Sequence, residues 1–403
     1  MKTNIKQTIT KFIGNEKRQD KIVPIFAVVM SLIVGAIVIG IIGKNPMGAY
    51  HNLLQGSGIL PKASYAGGKG MLTDFMSFLN ALTPLIFAAL AVSVAFKAGL
   101  FNIGVSSQML FAGFIATIVV GYSDMSSFIA KPMVLLIGVI CGAAIGGLIG
   151  YLKYRFNINE VVSCIMVNYI FQYVISFFIN MFYVDPVSRQ SKAIGQTASL
   201  TLKNVEFLGM KMEVPLGIIL AIIATFGLKF ILDKTKLGYE MKTVGANQKA
   251  AKYAGIKVGR TMVIAMLISG ALAGLAGVTF YLGYNTSIQP RVLSSIGYDA
   301  IAVSLLGNAN PIGSTISAFL IMIISKGSTY MSSTAGVPQE IASVITALIL
   351  LFSACGAYIK YRLKRIKDEV EEKSGQETHT PNNSEHEENV QVDQIQEQMK
   401  EEK

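Results

Sequence analysis

DKTKLGYEMKTVGANQKAAKYAGIKVGR, residues 233–260, is the longest polar interval between two strongly apolar segments in the second half of the chain. Lys234, Lys236, Lys242, Lys249, Lys252, Lys257 and Arg260 stand in it against Asp233 and Glu240. The apolar runs on either side, 214–232 and 261–284, are long enough to cross a hydrocarbon core, for which about 20 residues suffice. A basic island between two membrane-length runs predicts a polytopic helical fold with the island in the cytoplasm. The island has its own punctuation. Asn247 is a good N-cap, because its side-chain carbonyl accepts an orphan amide of the first turn. QKAAKYA supplies helix formers, and Gly255 offers the left-handed position that ends a helix. So short a helix is marginal alone in water and needs a surface to dock on.

The composition agrees with a membrane protein. The 403 residues are 52% hydrophobic and only 15% charged. The net charge of +11 hides an asymmetry. Residues 368–403 hold twelve acids against three lysines, a net of −9, and leave +20 on the rest. The basic residues are scattered at segment ends, as cytoplasmic loops require, and not gathered into a nucleic-acid surface. Cys141, Cys164 and Cys355 lie in apolar runs without metal-ligand spacing and read as buried small hydrophobes.

The fold expected is all-α: about eight full transmembrane helices plus short or re-entrant ones, roughly eight to ten spans, with both termini cytoplasmic. Residues 1–22 form a basic cytoplasmic segment, 23–360 the membrane domain, and 361–403 an acidic tail expected to be disordered. Residues 44–77 are expected as an outside loop, 185–213 as another, and 298–325 as a hairpin of two short helices. Gly138, Gly142, Gly146 and Gly150 recur every four residues, and Gly270 and Gly274 repeat the spacing, which lets helices approach closely. Asn168, Tyr169, Gln172 and Tyr173 make a polar stripe, either for interhelical hydrogen bonds or as the wall of a polar path. Two segments are broken by Gly, Asn or Pro, at 101–104 and 307–313, and paired interruptions point to a transport pathway. Asp299 is an acid near one mouth of the second. There is no G-x-x-x-x-G-K-[ST], no H-E-x-x-H and no G-x-S-x-G, so the chain reads as a non-enzyme that takes its energy from elsewhere.

Four blocks carry a family resemblance: LTPLIFAALAVSVAFKAGLFNIGVSSQML (82–110), NINEVVSCIMVNYI (157–170), GYEMKTVGANQKAAKYAGIKVG (238–259) and GYDAIAVSLLGNANPIG (297–313). In this order they resemble the permease subunits of bacterial ABC importers, in the nucleoside and simple-sugar branch of the family that includes ribose and branched-chain amino acid permeases. Gly104-Val105-Ser106-Ser107-Gln108 departs from the G-x-E-G-Q of that branch. The resemblance implies a plasma-membrane importer subunit that moves nucleosides, or alternatively a simple sugar or another small polar solute. It implies a separate ABC ATPase that uses ATP and Mg, a second permease chain and an extracytoplasmic solute-binding lipoprotein, with no cofactor or metal on this chain. An ATPase-independent channel or membrane scaffold is the alternative of a different class. Coupling to the ATPase maps to Gly245, Asn247, Lys249, Ala250, Ala251, Lys252, Tyr253 and Gly255, with the lysines meeting an acidic groove or the lipid surface and the alanines and Tyr253 packing. Asn102, Gln108, Asn168 and Asn310 are the candidate solute path.

Overall fold

The computed structural model describes residues 16–65, 69–207, 210–356, 358, 361–362 and 365. The expectations for the N-terminal segment before residue 16 and for the acidic tail beyond residue 365 lie outside the described residues, while residues 361, 362 and 365, at the start of the expected tail, are helical. Contacts divide the chain into two units, of which residues 26–354 are the larger. In the smaller, the described residues are helical apart from a turn at Cys355.

Helices α1 (Glu16–Ile41) and α2 (Pro46–Gly56) come first, then α3 (Met71–Lys97) and α4 (Val105–Ala116), which a π turn at Thr117–Gly121 extends. Next are α5 (Ser127–Phe156) and α6 (Glu160–Phe178), the latter with a π turn at Ile179–Tyr183. An antiparallel hairpin, β1 (Thr201–Phe207) and β2 (Met210–Pro215), precedes α7 (Gly217–Lys234), α8 (Lys236–Ala246) and α9 (Gln248–Tyr253). The order closes with α10 (Val258–Thr279, π turn Phe280–Tyr284), α11 (Ile296–Leu306), α12 (Pro311–Ala335) and α13 (Glu340–Ala354). Among the described residues six helices are long and apolar enough to span a bilayer: α1, α3, α5, α6, α10 and α12. The apolar helices α4, α11 and α13 are shorter.

Three expectations change. The region 298–325 is not a pair of short helices: α11 has 11 residues but α12 has 25. Asn310 caps α12 and Pro311 opens it, and the helix runs through its Ser/Thr-rich second half to Gly336, at φ +61°. Helix α2 supports that half. A Cβ on Gly56 would lie 2.7 Å from Tyr330 Cβ and 2.9 Å from Gly327 Cα, so the two backbones touch. The expected loop 44–77 contains α2 and the opening turns of α3. Finally, the all-α fold carries a β hairpin inside the expected loop 185–213. Thr201 pairs with Pro215, and the register shifts between Leu202 and Val205. Leu200 N–H donates to Leu282 O (2.9 Å) and Thr201 Oγ1 to Asn80 Oδ1 (3.0 Å), which tie the hairpin to α3 and the end of α10.

Helix α3 is the centre, with 94% of its apolar window buried. Alanine and small residues from Ala88 to Ala95 let α10, α11 and α12 close on it. The tightest pair is α5 with α10. Their glycines interlock: a Cβ on Gly142 would lie 2.7 Å from Gly274 Cα, and one on Gly146 2.8 Å from Gly270 Cα. Gly138 sits against Gly274 O and Val278, and Gly150 against Met266. Backbones this close gain dispersion contact that no larger residue permits.

Candidate functional site: an interrupted core, a cavity and a capped polar segment

The first interruption begins where α3 stops. Gly99 takes a left-handed turn (φ +70°) and its backbone lies against Gly245 at the end of α8; a Cβ on it would fall 2.9 Å from Gly245 Cα. The chain then turns back into the core. Asn102 is fully buried, and Ser269, its partner on α10, donates to Ala91 O at 2.6 Å. Ala91 is six residues before the end of α3, about 9 Å along the helix axis. The Asn102 amide donates to Gln108 Oε1 (3.0 Å) and Ser269 Oγ (2.9 Å). Its carbonyl accepts from Gly104 N (3.0 Å) and Gln108 Nε2 (3.2 Å). Buried amides so completely paired fix a fold, since an unpaired one would cost on the order of 1–3 kcal/mol. The structure thus puts Asn102 and Gln108 in a sealed elbow, and neither lines the two cavities described below.

The other two path candidates are elsewhere too. Asn168 is buried and donates to Ile103 O (3.3 Å) and Tyr298 Oη (3.5 Å), while its Oδ1 lacks a partner among the described residues. Asn310 is the N-cap of α12 and accepts from Ile312 N. The expected polar stripe on α6 divides. Gln172 donates inward to Arg291 O (2.7 Å), whereas Tyr169 and Tyr173 point outward, 56% and 59% exposed.

The interruption expected at 307–313 is closed, a Cβ on Gly313 falling 3.2 Å from Gly307 Cα, and the open break is instead the stretch 285–295. Between the π turn of α10, the start of α11 and the face of α12 lies a cavity of about 470 Å³. A second, of about 610 Å³, continues from it towards α13. Ser295, Asp299, Ile321, Ser325 and Thr329 line both. Phe280, Tyr281 and Tyr284 give the first cavity an aromatic side, and Asn285, Gln289 and Lys326 add polar groups. The π turn places Tyr284 there, with its ring stacked on Phe280 (6.1 Å, 26°) and its hydroxyl accepting from Lys326 Nζ (3.2 Å). The two interruptions touch. Ser106 Oγ donates to Ser294 O (2.9 Å), and Gly297 lies against the Ser106 backbone. Sequence reasoning missed most of this lining; the one signal was an acid, Asp299, inside an apolar helix.

The segment after α7 forms two helices joined at Asn247, which ends α8 and caps α9 by accepting from Lys249 N and Ala250 N. Gly255 follows at φ +77°. Gly245 is held under Lys97 O and Gly99, so this segment is fixed to the lip of the sealed elbow. The residues divide by face. Ala251 is fully buried in the chain's own core, which corrects its assignment to an external groove. Lys249, Ala250 and Lys252 are exposed, and Tyr253 is 94% exposed. Lys242 hydrogen-bonds Asp233 at 2.7 Å and holds its carboxyl below the usual range.

Residues 75–354 match the model of the branched-chain amino acid transport system / permease component family. A nucleoside ABC transporter permease of Lactococcus lactis subsp. cremoris, NupB, is 34% identical over 88% of this chain and 96% of its own length. The guanosine ABC transporter permease NupP of Bacillus subtilis is 34% identical over 86% and 96%. The glucose ABC transporter permease TsgB13 of Haloferax volcanii is 26% identical over 84% and 89%.

Proposed function

The chain belongs to the branched-chain amino acid transport system permease family, and from that premise we propose that it forms the solute pathway of an ABC importer for nucleosides. It is a multi-pass plasma-membrane transport subunit and not an enzyme. The observation that carries the nucleoside reading is end-to-end similarity to two permeases named for nucleoside and guanosine transport. The described cavity supports it, because its aromatic side and polar side suit a solute with a flat base and a hydroxylated sugar. A simple sugar is the second reading, favoured by the lower and slightly less extensive similarity to a glucose permease.

In this reading the basic interval 233–260 and both termini face the cytoplasm. An ATPase that uses ATP and Mg docks on the exposed ridge of α9, made by Lys249, Ala250, Lys252 and Tyr253. Gly245, Asn247 and Gly255 shape that ridge, and Ala251 anchors it from below. A solute-binding lipoprotein delivers solute outside, and a second permease chain completes the pathway.

Two measurements test this. Cells carrying the operon take up labelled nucleosides, and deletion of this chain abolishes that uptake; uptake of glucose alone would overturn the nucleoside reading. Tyr253→Asp leaves membrane insertion intact but loses ATPase co-purification and at least 90% of uptake. Normal uptake by that variant sinks the coupling assignment.

A further inference from the structure

An acid inside a membrane bundle is costly unless it is paired or solvated. Asp299 stands in the first turns of α11, whose next residues are nearly all apolar. It lines both cavities, and among the residues around the first it is the one acid, as Lys326 is the one base. Lys326 is committed to Tyr284 at 3.2 Å on the aromatic side. The carboxylate takes a hydrogen bond from the Ser295 side chain and otherwise borders open volume rather than a built ion pair. We propose that this cavity is a nucleoside-binding site of the permease itself, in which Asp299 accepts hydrogen bonds from the ribose 2′,3′-diol while the base lies along Phe280 and Tyr284. The inference rests on the nucleoside reading above and deepens it.

Three features agree on that ligand class. A volume of about 470 Å³ is in the range of small-molecule sites. A cis-diol presents two donors side by side to the two oxygens of one carboxylate, and charge-assisted hydrogen bonds are the stronger kind. One acid and one base leave the cavity with no surplus positive charge, so it suits an uncharged nucleoside and disfavours a nucleotide. Ser295, Ser325 and Thr329 supply further hydroxyls along the path into the second cavity.

The test uses the complete importer in proteoliposomes. Asp299→Asn is expected to lower kcat/KM for uridine at least tenfold and for 2′,3′-dideoxyuridine less than twofold. An equal loss for both solutes, or none, overturns the diol contact. A second variant does not depend on Asp299. Thr329→Cys, in a background without the three native cysteines, is labelled by a thiol reagent in the permease–ATPase complex lacking the binding protein. Uridine is expected to slow labelling several-fold, and glucose and uridine monophosphate are not. No protection by uridine at millimolar concentration overturns the site, even where the intact importer transports nucleosides. If the wild-type importer transports none, the functional reading fails first and the site falls with it.

Discussion

The two interrupted segments differ in where their polar groups point. At the elbow of residues 98–108 the side chains of Asn102 and Gln108 bond each other, Ser269 and a backbone N–H, and both are fully buried. At residues 285–299 the side chains of Ser295 and Asp299 line open volume. Both are breaks in membrane helices, and irregular backbone at that depth is tolerated only when buried in protein or lining a cavity. This chain uses each solution once. The sealed break fixes the end of α3 against the end of α8 through Gly99 and Gly245. The open break carries the cavity. Ser106 and Ser294 join them, so the elbow and the cavity wall share a direct hydrogen bond.

The largest effect should come from breaking the sealed side. Asn102→Ala strands the Gln108 amide and the Gly104 N–H in a dry core. At about 1–3 kcal/mol per stranded group, the loss is on the order of 3–5 kcal/mol. Thermal unfolding in detergent should then show a much lower midpoint and a poor yield of folded chain. A variant as stable as the wild type would mean that water reaches the elbow, and the contrast between the two breaks would vanish.

Sequence alone located the elbow at 101–104 but placed the second break at 307–313, whereas the cavity is bordered by residues 280–299 and 321–329. Asn102 and Gln108 are polar residues in a membrane segment, and nothing in their order says whether the partner is a solute or each other. Ser269 completes the set from α10, 167 positions away. The hydropathy reading failed on α12 because Ser325, Ser328, Thr329, Ser332, Ser333 and Thr334 resemble a loop until α2 packs behind them. The β hairpin was hidden for a similar reason: a short pair in an outer loop has too few alternating residues to outweigh a loop reading. Local punctuation was easier. Asn247 as cap and Gly255 as stop depend only on neighbours in the chain. The four-residue glycine spacing defines one face of α5, whereas its partner on α10 is a tertiary fact. Tyr169 and Tyr173 show the limit of helical spacing: two positions beside Asn168 and Gln172 still turn outward.

A smaller effect is expected where the central helix meets the open break. Ser93 on α3 accepts from Ser304 on α11 and Ser314 on α12 (2.9 and 2.8 Å) while it donates to Ala89 O. Ser93→Ala removes that common acceptor. The two remaining hydroxyls can rotate to carbonyls of their own helices, so the loss should be about 1 kcal/mol. A double-mutant cycle with Ser304→Ala measures it. Coupling near zero would show that α11 is held by packing alone.

The smallest effect on stability belongs to the open side itself. Ser325 lines both cavities from α12 and is exposed to their solvent. Its hydroxyl exchanges one water contact for another on unfolding, so Ser325→Ala should change stability by less than about 0.5 kcal/mol. The elbow and the cavity wall thus predict opposite profiles. Truncation at Asn102 removes folded protein, whereas truncation at Ser325 leaves the unfolding midpoint in place and raises the uptake KM for nucleosides. A melting shift at Ser325 as large as that at Asn102 would show that the cavity wall is as tightly built as the elbow. The cavity would then be a packing defect and not a passage.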